Sequence, residues 1–148
     1  MPSRDPALIL ASTSTYRASL LDRLGIPFET RPPAVDESRL PNEKFNDMAA
    51  RLSQAKAKAI RHPNALVIGS DQVAVMGEQQ LHKPGSVNRA VEQLEIISGR
   101  TVEFYTGLSL WNTATGHCQT EVVPYKATLR DLTRHEIEAY VAADSPLD

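Results

Sequence analysis

The chain has 148 residues, enough for one domain or two closely joined lobes with a true core. Apolar residues make up 41% and charged residues 23%, which excludes wholesale disorder. A net charge of −2 gives no general attraction to nucleic acid or an anionic membrane, and the lone Cys118 excludes an intrachain disulfide and a cysteine-rich metal site.

Ala7–Ala11 reads as a short buried strand that empties into Ser12-Thr13-Ser14-Thr15, four hydroxyl residues suited to capping a helix over Tyr16–Leu24, with Gly25 as its stop. That apolar run is too short for a signal peptide, and no apolar run is long enough to cross a bilayer. The expected setting is therefore cytoplasmic, without nucleic-acid or membrane partners. Ile26–Arg31 looks extended, and Pro32-Pro33 breaks it. A helix is expected over Glu43–Arg61, capped by Asn42 and ended by His62-Pro63, with Lys56 and Lys58 beside its apolar stripe.

Ala65–Ser70 is a run of strand formers that Asp71 is expected to interrupt before Gln72–Met76 resumes. Ser86–Ser98 reads as a helix stopped by Gly99. Thr101–Trp111 reads as a strand with Val102, Phe104, Thr106 and Leu108 on one side, and His117–Tyr125 returns antiparallel after a turn. Thr133-Arg134-His135-Glu136 is a capping box opening a last helix to about Ala143. The pattern predicts an α/β protein with a mixed sheet.

Walker A, dinucleotide-glycine, paired-histidine zinc and nucleophile-elbow motifs are all absent. The four histidines are scattered: His135 reads as a solvated first-turn residue, and Cys118 as a buried, inert thiol. Four segments carry candidate chemistry. Ser12–Arg17 joins hydroxyls, a helix start and a guanidinium, a set that can hold an anion but on its own reads as an ordinary capped helix. Asp36-Glu37 offers loop carboxylates that matter only if another carboxylate joins them around a hard cation. Asp71, after four strand-forming positions, either turns the chain or performs chemistry at a strand end. Lys83, stiffened by Pro84, and Lys56 are each ordinary surface lysines when taken singly. Together the set suggests metal-assisted hydrolysis of a phosphate ester or anhydride.

Leu8–Arg17 followed by Leu20-Leu21 resembles the amino-terminal signature of the Maf family of nucleotide pyrophosphatases. Val35-Asp36-Glu37, Gln54-Ala55-Lys56-Ala57, Gly69-Ser70-Asp71-Gln72, Lys83-Pro84 and Ser98-Gly99 match later family motifs in order. The resemblance implies a mixed twisted sheet flanked by helices, in a two-lobed fold with a central cleft shared with inosine triphosphatases. It also implies a nucleoside triphosphate substrate, a divalent magnesium or manganese ion, and often a homodimer. Carried over, Asp71 is the proton acceptor that activates water. Ser12, Arg17, Lys56 and Lys83 contact phosphates, and Glu37 joins Asp71 as a metal-side carboxylate.

Most family members have threonine after the catalytic aspartate and arginine where Tyr16 stands. Gln72, Tyr16 and the strand Phe104–Leu108 instead resemble the branch associated with 7-methyl-GTP. An aromatic face suits a cationic methylated guanine, although Tyr16 can equally be read as packing on the core. The alternatives are the family's dTTP/UTP activity and nucleotide binding without catalysis. The family pattern continues past the residues that match Tyr140–Asp148, so the resemblance implies one Maf-like domain over 1–148 lacking the family's carboxyl-terminal segment.

Overall fold

The computed structural model describes residues 5–82 and 85–144. Their contacts define two compact units: Met1–Gln72 with Tyr105–Val123, and Val73–Phe104 with Pro124–Asp148. Three long strands run through both: β3 (Ala65–Met76), β5 (Thr101–Asn112) and β6 (Cys118–Thr128).

The first unit also holds β1 (Ala7–Ala11), α1 (Thr15–Asp22), β2 (Glu29–Arg31) and α2 (Phe45–Lys58). β1 pairs parallel with β2 on one side and with β3 on the other, where Ala11 lies opposite Gly69. The chain leaves β1 through α1 to reach β2, then leaves β2 through α2 to reach β3. Connections thus depart to opposite sides of β1, which ends beside the middle of β3, so the loop leaving β1 opens next to Ser70 and Asp71. Ile9, Ala11, Ala57, Ile60, Ala65 and Val67 form the core beneath it, with Trp111 packed alongside.

The second unit adds β4 (Gln79–Leu81), antiparallel to β3, and the helices α3 (Val87–Ile97) and α4 (Arg134–Asp144). Ala90 and Val91 of α3 pack on Ile137 and Val141 of α4. The caps follow local chemistry: Ser86 accepts the amide of Arg89, and Thr133 and Glu136 exchange the two bonds of a capping box. Sheet order is β2-β1-β3-β5-β6, with β4 added on β3. β6 lies at the end of that order, which accommodates Pro124 and its missing N–H. The mixed sheet flanked by helices is the expected fold class.

Local expectations at Asp71, Asn42 and Cys118 need correction. Asp71 does not interrupt the strand: β3 is continuous, and its alternation puts Asp71 on the same buried face as Val67, Gly69 and Val73. Asn42 does not cap α2; it sits in a turn at φ 59°, and α2 begins after Lys44 without a side-chain cap. Leu108 is 51% exposed, whereas Gly107 and Ser109 on the opposite face are buried. The reason is α2, whose Ala49 carbonyl oxygen lies 2.1 Å from where a Cβ on Gly107 would stand. Cys118, expected to be buried, is half-buried.

Candidate active site

The site is built around α2 and β3. Five residues of α2 are buried (Met48, Ala49, Leu52, Ser53 and Ala57), and the small ones among them recur every fourth position. This stripe lets the helix backbone settle directly on the sheet. A Cβ on Gly69 would stand 2.1 Å from the Ser53 carbonyl oxygen and 2.6 Å from the Ala57 nitrogen, so only glycine fits. A buried hydroxyl chain fixes the helix about its axis. Ser53 Oγ lies 2.8 Å from Ser109 Oγ, which lies 2.9 Å from Thr120 Oγ1, and Gln54 Nε2 donates to Thr120 Oγ1 at 2.8 Å.

Seated in this way, α2 delivers Lys56 to the acids. Lys56 Nζ lies 2.8 Å from Asp71 Oδ1 and 2.8 Å from Glu37 Oε1. The Lys56 and Asp71 side chains are 11% and 8% exposed, while that of Glu37 is 60% exposed. Burial of Asp71 is therefore matched by a cation inside hydrogen-bond range, which answers the cost that made its position puzzling in the sequence. Two carboxylates converging on one ammonium leave an excess negative charge. Among the described residues no group of three or more His, Cys, Asp or Glu could hold a metal ion.

The loop after β1 supplies the second part. Ser12 is buried, and its Oγ accepts the amide of Ser14 at 3.0 Å. Ser14 caps α1 by accepting the amide of Arg17 at 3.2 Å. The pairing of β1 with β3 puts this loop at the same sheet end as Asp71. Tyr16 is 71% exposed, so it does not pack on the core. Gln72, exposed on the face opposite Asp71, donates Nε2 to Thr106 Oγ1 at 3.2 Å.

Lys56 thus contacts both Asp71 and Glu37 directly. Ser12 lies at the cap that Ser14 closes over Arg17 and Tyr16, and Gln72 adjoins Asp71 in β3. Lys83 lies outside the described residues. Sequence reasoning missed two supporting groups, Thr106 behind Gln72 and Arg51 beside the Glu37 loop. Neither spacing nor residue type singled them out, because both act through partners distant in sequence.

Residues 7–148 match the family described as Maf-like protein. A protein of Pseudomonas putida named 7-methyl-GTP pyrophosphatase is 52% identical over 143 residues, covering 95% of this chain and 74% of its own length. One of the same name from Alkalilimnicola ehrlichii is 52% identical over 145 residues, covering 97% of this chain and 73% of its own. Among solved structures, a HAM1 protein from Coxiella burnetii matches with a TM-score of 0.50 at 13% identity, over 83% of this chain and 72% of that one, a likeness of fold alone. With the family match running from residue 7 to residue 148 and about half of the aligned positions shared with each named relative, this chain belongs to the Maf family.

Proposed function

We propose that the chain is a nucleoside triphosphate pyrophosphatase that hydrolyses 7-methyl-GTP to 7-methyl-GMP and pyrophosphate. The observation that carries this reading is the 52% identity, over nearly the whole chain, to two relatives bearing that name. The site offers chemistry of the required kind. Water attacks the α-phosphorus and passes its proton to Asp71, the bridging bond from the α-phosphorus to the β-phosphate oxygen breaks, and pyrophosphate departs. Lys56, already against Asp71, neutralises phosphate charge, with Ser12, Arg17 and Lys83 as further phosphate contacts.

A divalent ion fits the donor set. Glu37 and Asp71 present hard carboxylate oxygens to one cationic point, as magnesium or manganese requires, and two protein ligands leave positions for phosphate oxygens and water. Such an ion supplies charge neutralisation and polarisation of the phosphates. The exposed Tyr16 ring offers its face to a cationic base, and Gln72 offers an oriented amide to a base edge.

No helix among the described residues is long and apolar enough to cross a membrane. A cytoplasmic location and a homodimer belong to the same proposal. The dimer draws support from exposed Leu108, Leu110 and Val123, and light scattering at twice the chain mass would bear it out.

The deciding experiment measures pyrophosphate release by the purified chain from 7-methyl-GTP, dTTP and UTP, with magnesium or manganese. Turnover led by 7-methyl-GTP is expected. Equal or pyrimidine-led turnover overturns the substrate assignment, and nucleotide binding without release from any substrate overturns the enzymatic one.

A further inference from the structure

Glu37 stands on the loop between β2 and α2 with most of its side chain in solvent, where a carboxylate is ordinarily mobile. The main chain beside it is held fast from the helix. Arg51 of α2 donates Nη2 to the Ser38 carbonyl at 3.0 Å, one residue beyond Glu37. The same guanidinium grips Glu43, with Nε to Oε2 at 2.7 Å and Nη2 to Oε1 at 2.9 Å. Glu43 passes the restraint back, since its Oε1 accepts the Leu40 amide at 3.1 Å and its carbonyl accepts both Nε and Nη2 of Arg39. Arg39 in turn stacks 4.2 Å over the Phe45 ring. On the other side of Glu37, Asp36 Oδ1 accepts the Ser38 amide at 2.9 Å.

The Glu43 side chain is 8% exposed, and its named contacts all serve the loop. A two-pronged ion pair with its carboxylate nearly buried is more than a solvated loop requires. Arg51 lies on α2, the helix that carries Lys56, so one rigid element holds both the ammonium and the loop bearing the exposed carboxylate.

We infer that Arg51, clamped by Glu43, is the positioning residue that holds Glu37 within reach of Asp71 and Lys56. The inference rests on the reading of Glu37 as a metal-side carboxylate. Its function is to preorganise the cation site, because a carboxylate that must first be immobilised binds a metal more weakly.

The test is a manganese titration of the full 148-residue chain without nucleotide, following the free ion by electron paramagnetic resonance. Glu37→Gln is expected to weaken manganese binding about tenfold. Arg51→Ala is expected to approach that loss, and Arg51→Lys, which keeps the charge but lacks the fork, to fall between. The double variant Glu37→Gln/Arg51→Ala is expected to bind no worse than Glu37→Gln alone, because the two residues act in series. A loss in Arg51→Ala that adds in full to that of Glu37→Gln, or no loss at all, overturns the inference while leaving the metal reading intact. An unchanged affinity in Glu37→Gln overturns the metal reading and the inference with it. Thermal melting without metal establishes which variants are folded, and Arg51→Lys carries the test if Arg51→Ala is not.

Discussion

The helices α1 and α2 bring functional side chains to one end of the same sheet, but they are held by different means. α1 has eight residues, none of them buried, and its start is set by the Ser12 and Ser14 hydroxyl bonds. α2 has fourteen residues, five of them buried, and lies on glycines that admit its backbone. Packing of an amphipathic face supplies most helix stability in proteins, so α2 is rigid where α1 depends on its cap. The division suits the proposed chemistry. Lys56 and Asp71 require fixed geometry at the reacting bond, whereas Arg17 and Tyr16 have a large and mobile substrate to gather.

The largest expected effect breaks the rigid half chemically. Asp71→Asn removes the proposed proton acceptor while keeping the shape, and turnover is expected to fall roughly a hundred- to ten-thousand-fold with nucleotide binding retained. Arg17→Ala on α1 is expected to act mainly on KM, raising it about tenfold or more, as loss of a charged hydrogen bond would. Steady-state kinetics on both variants decide this. A kcat effect from Arg17→Ala as large as that from Asp71→Asn would erase the distinction between the two helices.

The next test is mechanical. Gly69→Ala drives a methyl group into the α2 backbone, where neither Ser53 O nor Ala57 N can yield without moving the helix. Overpacking of this kind costs roughly 1–3 kcal/mol and should displace Lys56 as well. Gly25, just beyond α1, has φ 69° and open space around it. Gly25→Ala is expected to cost about 1 kcal/mol through backbone strain alone, without changing kcat. Urea midpoints and turnover measured on the pair separate the effects. Equal losses of kcat would show that α2 has no special claim on the site.

The same contrast explains what could be read from the sequence. The capping box at Thr133 and a hydroxyl cap among Ser12–Thr15 were legible because a cap depends on residues within one turn. Asp71 was legible as an anomaly but not as part of a continuous strand. Its stability there depends on Lys56, fifteen residues away and on another element. The buried face of β5 was not legible for a related reason. Leu108 outranks Gly107 in hydrophobicity, yet the face with room for α2 is the one lacking a side chain. Arg51 left no sign at all, since its partners Glu43 and Ser38 lie in a loop whose path no periodicity describes.

The smallest expected effect distinguishes the two halves by pH. The Arg51 guanidinium, hydrogen-bonded to Glu43, holds that carboxyl below its ordinary value of 4.5, and the Leu40 amide adds to the effect. A carboxyl lowered by folding stabilises the native state above its unfolded pKa, and that contribution disappears as pH falls from about 4.5 through the lowered native value. The α1 cap is made of serine hydroxyls, which do not titrate in this range. Acidification should therefore loosen the loop beside α2 before it disturbs the start of α1. In amide NMR spectra recorded from pH 6 down to about pH 3, the Leu40 N–H is expected to shift as Glu43 protonates, while the Arg17 N–H stays in place. In Glu43→Gln the Leu40 shift should vanish. A Leu40 resonance that titrates unchanged in that variant would mean another acid controls the loop, and coincident movement of Leu40 and Arg17 would mean the two regions respond as one.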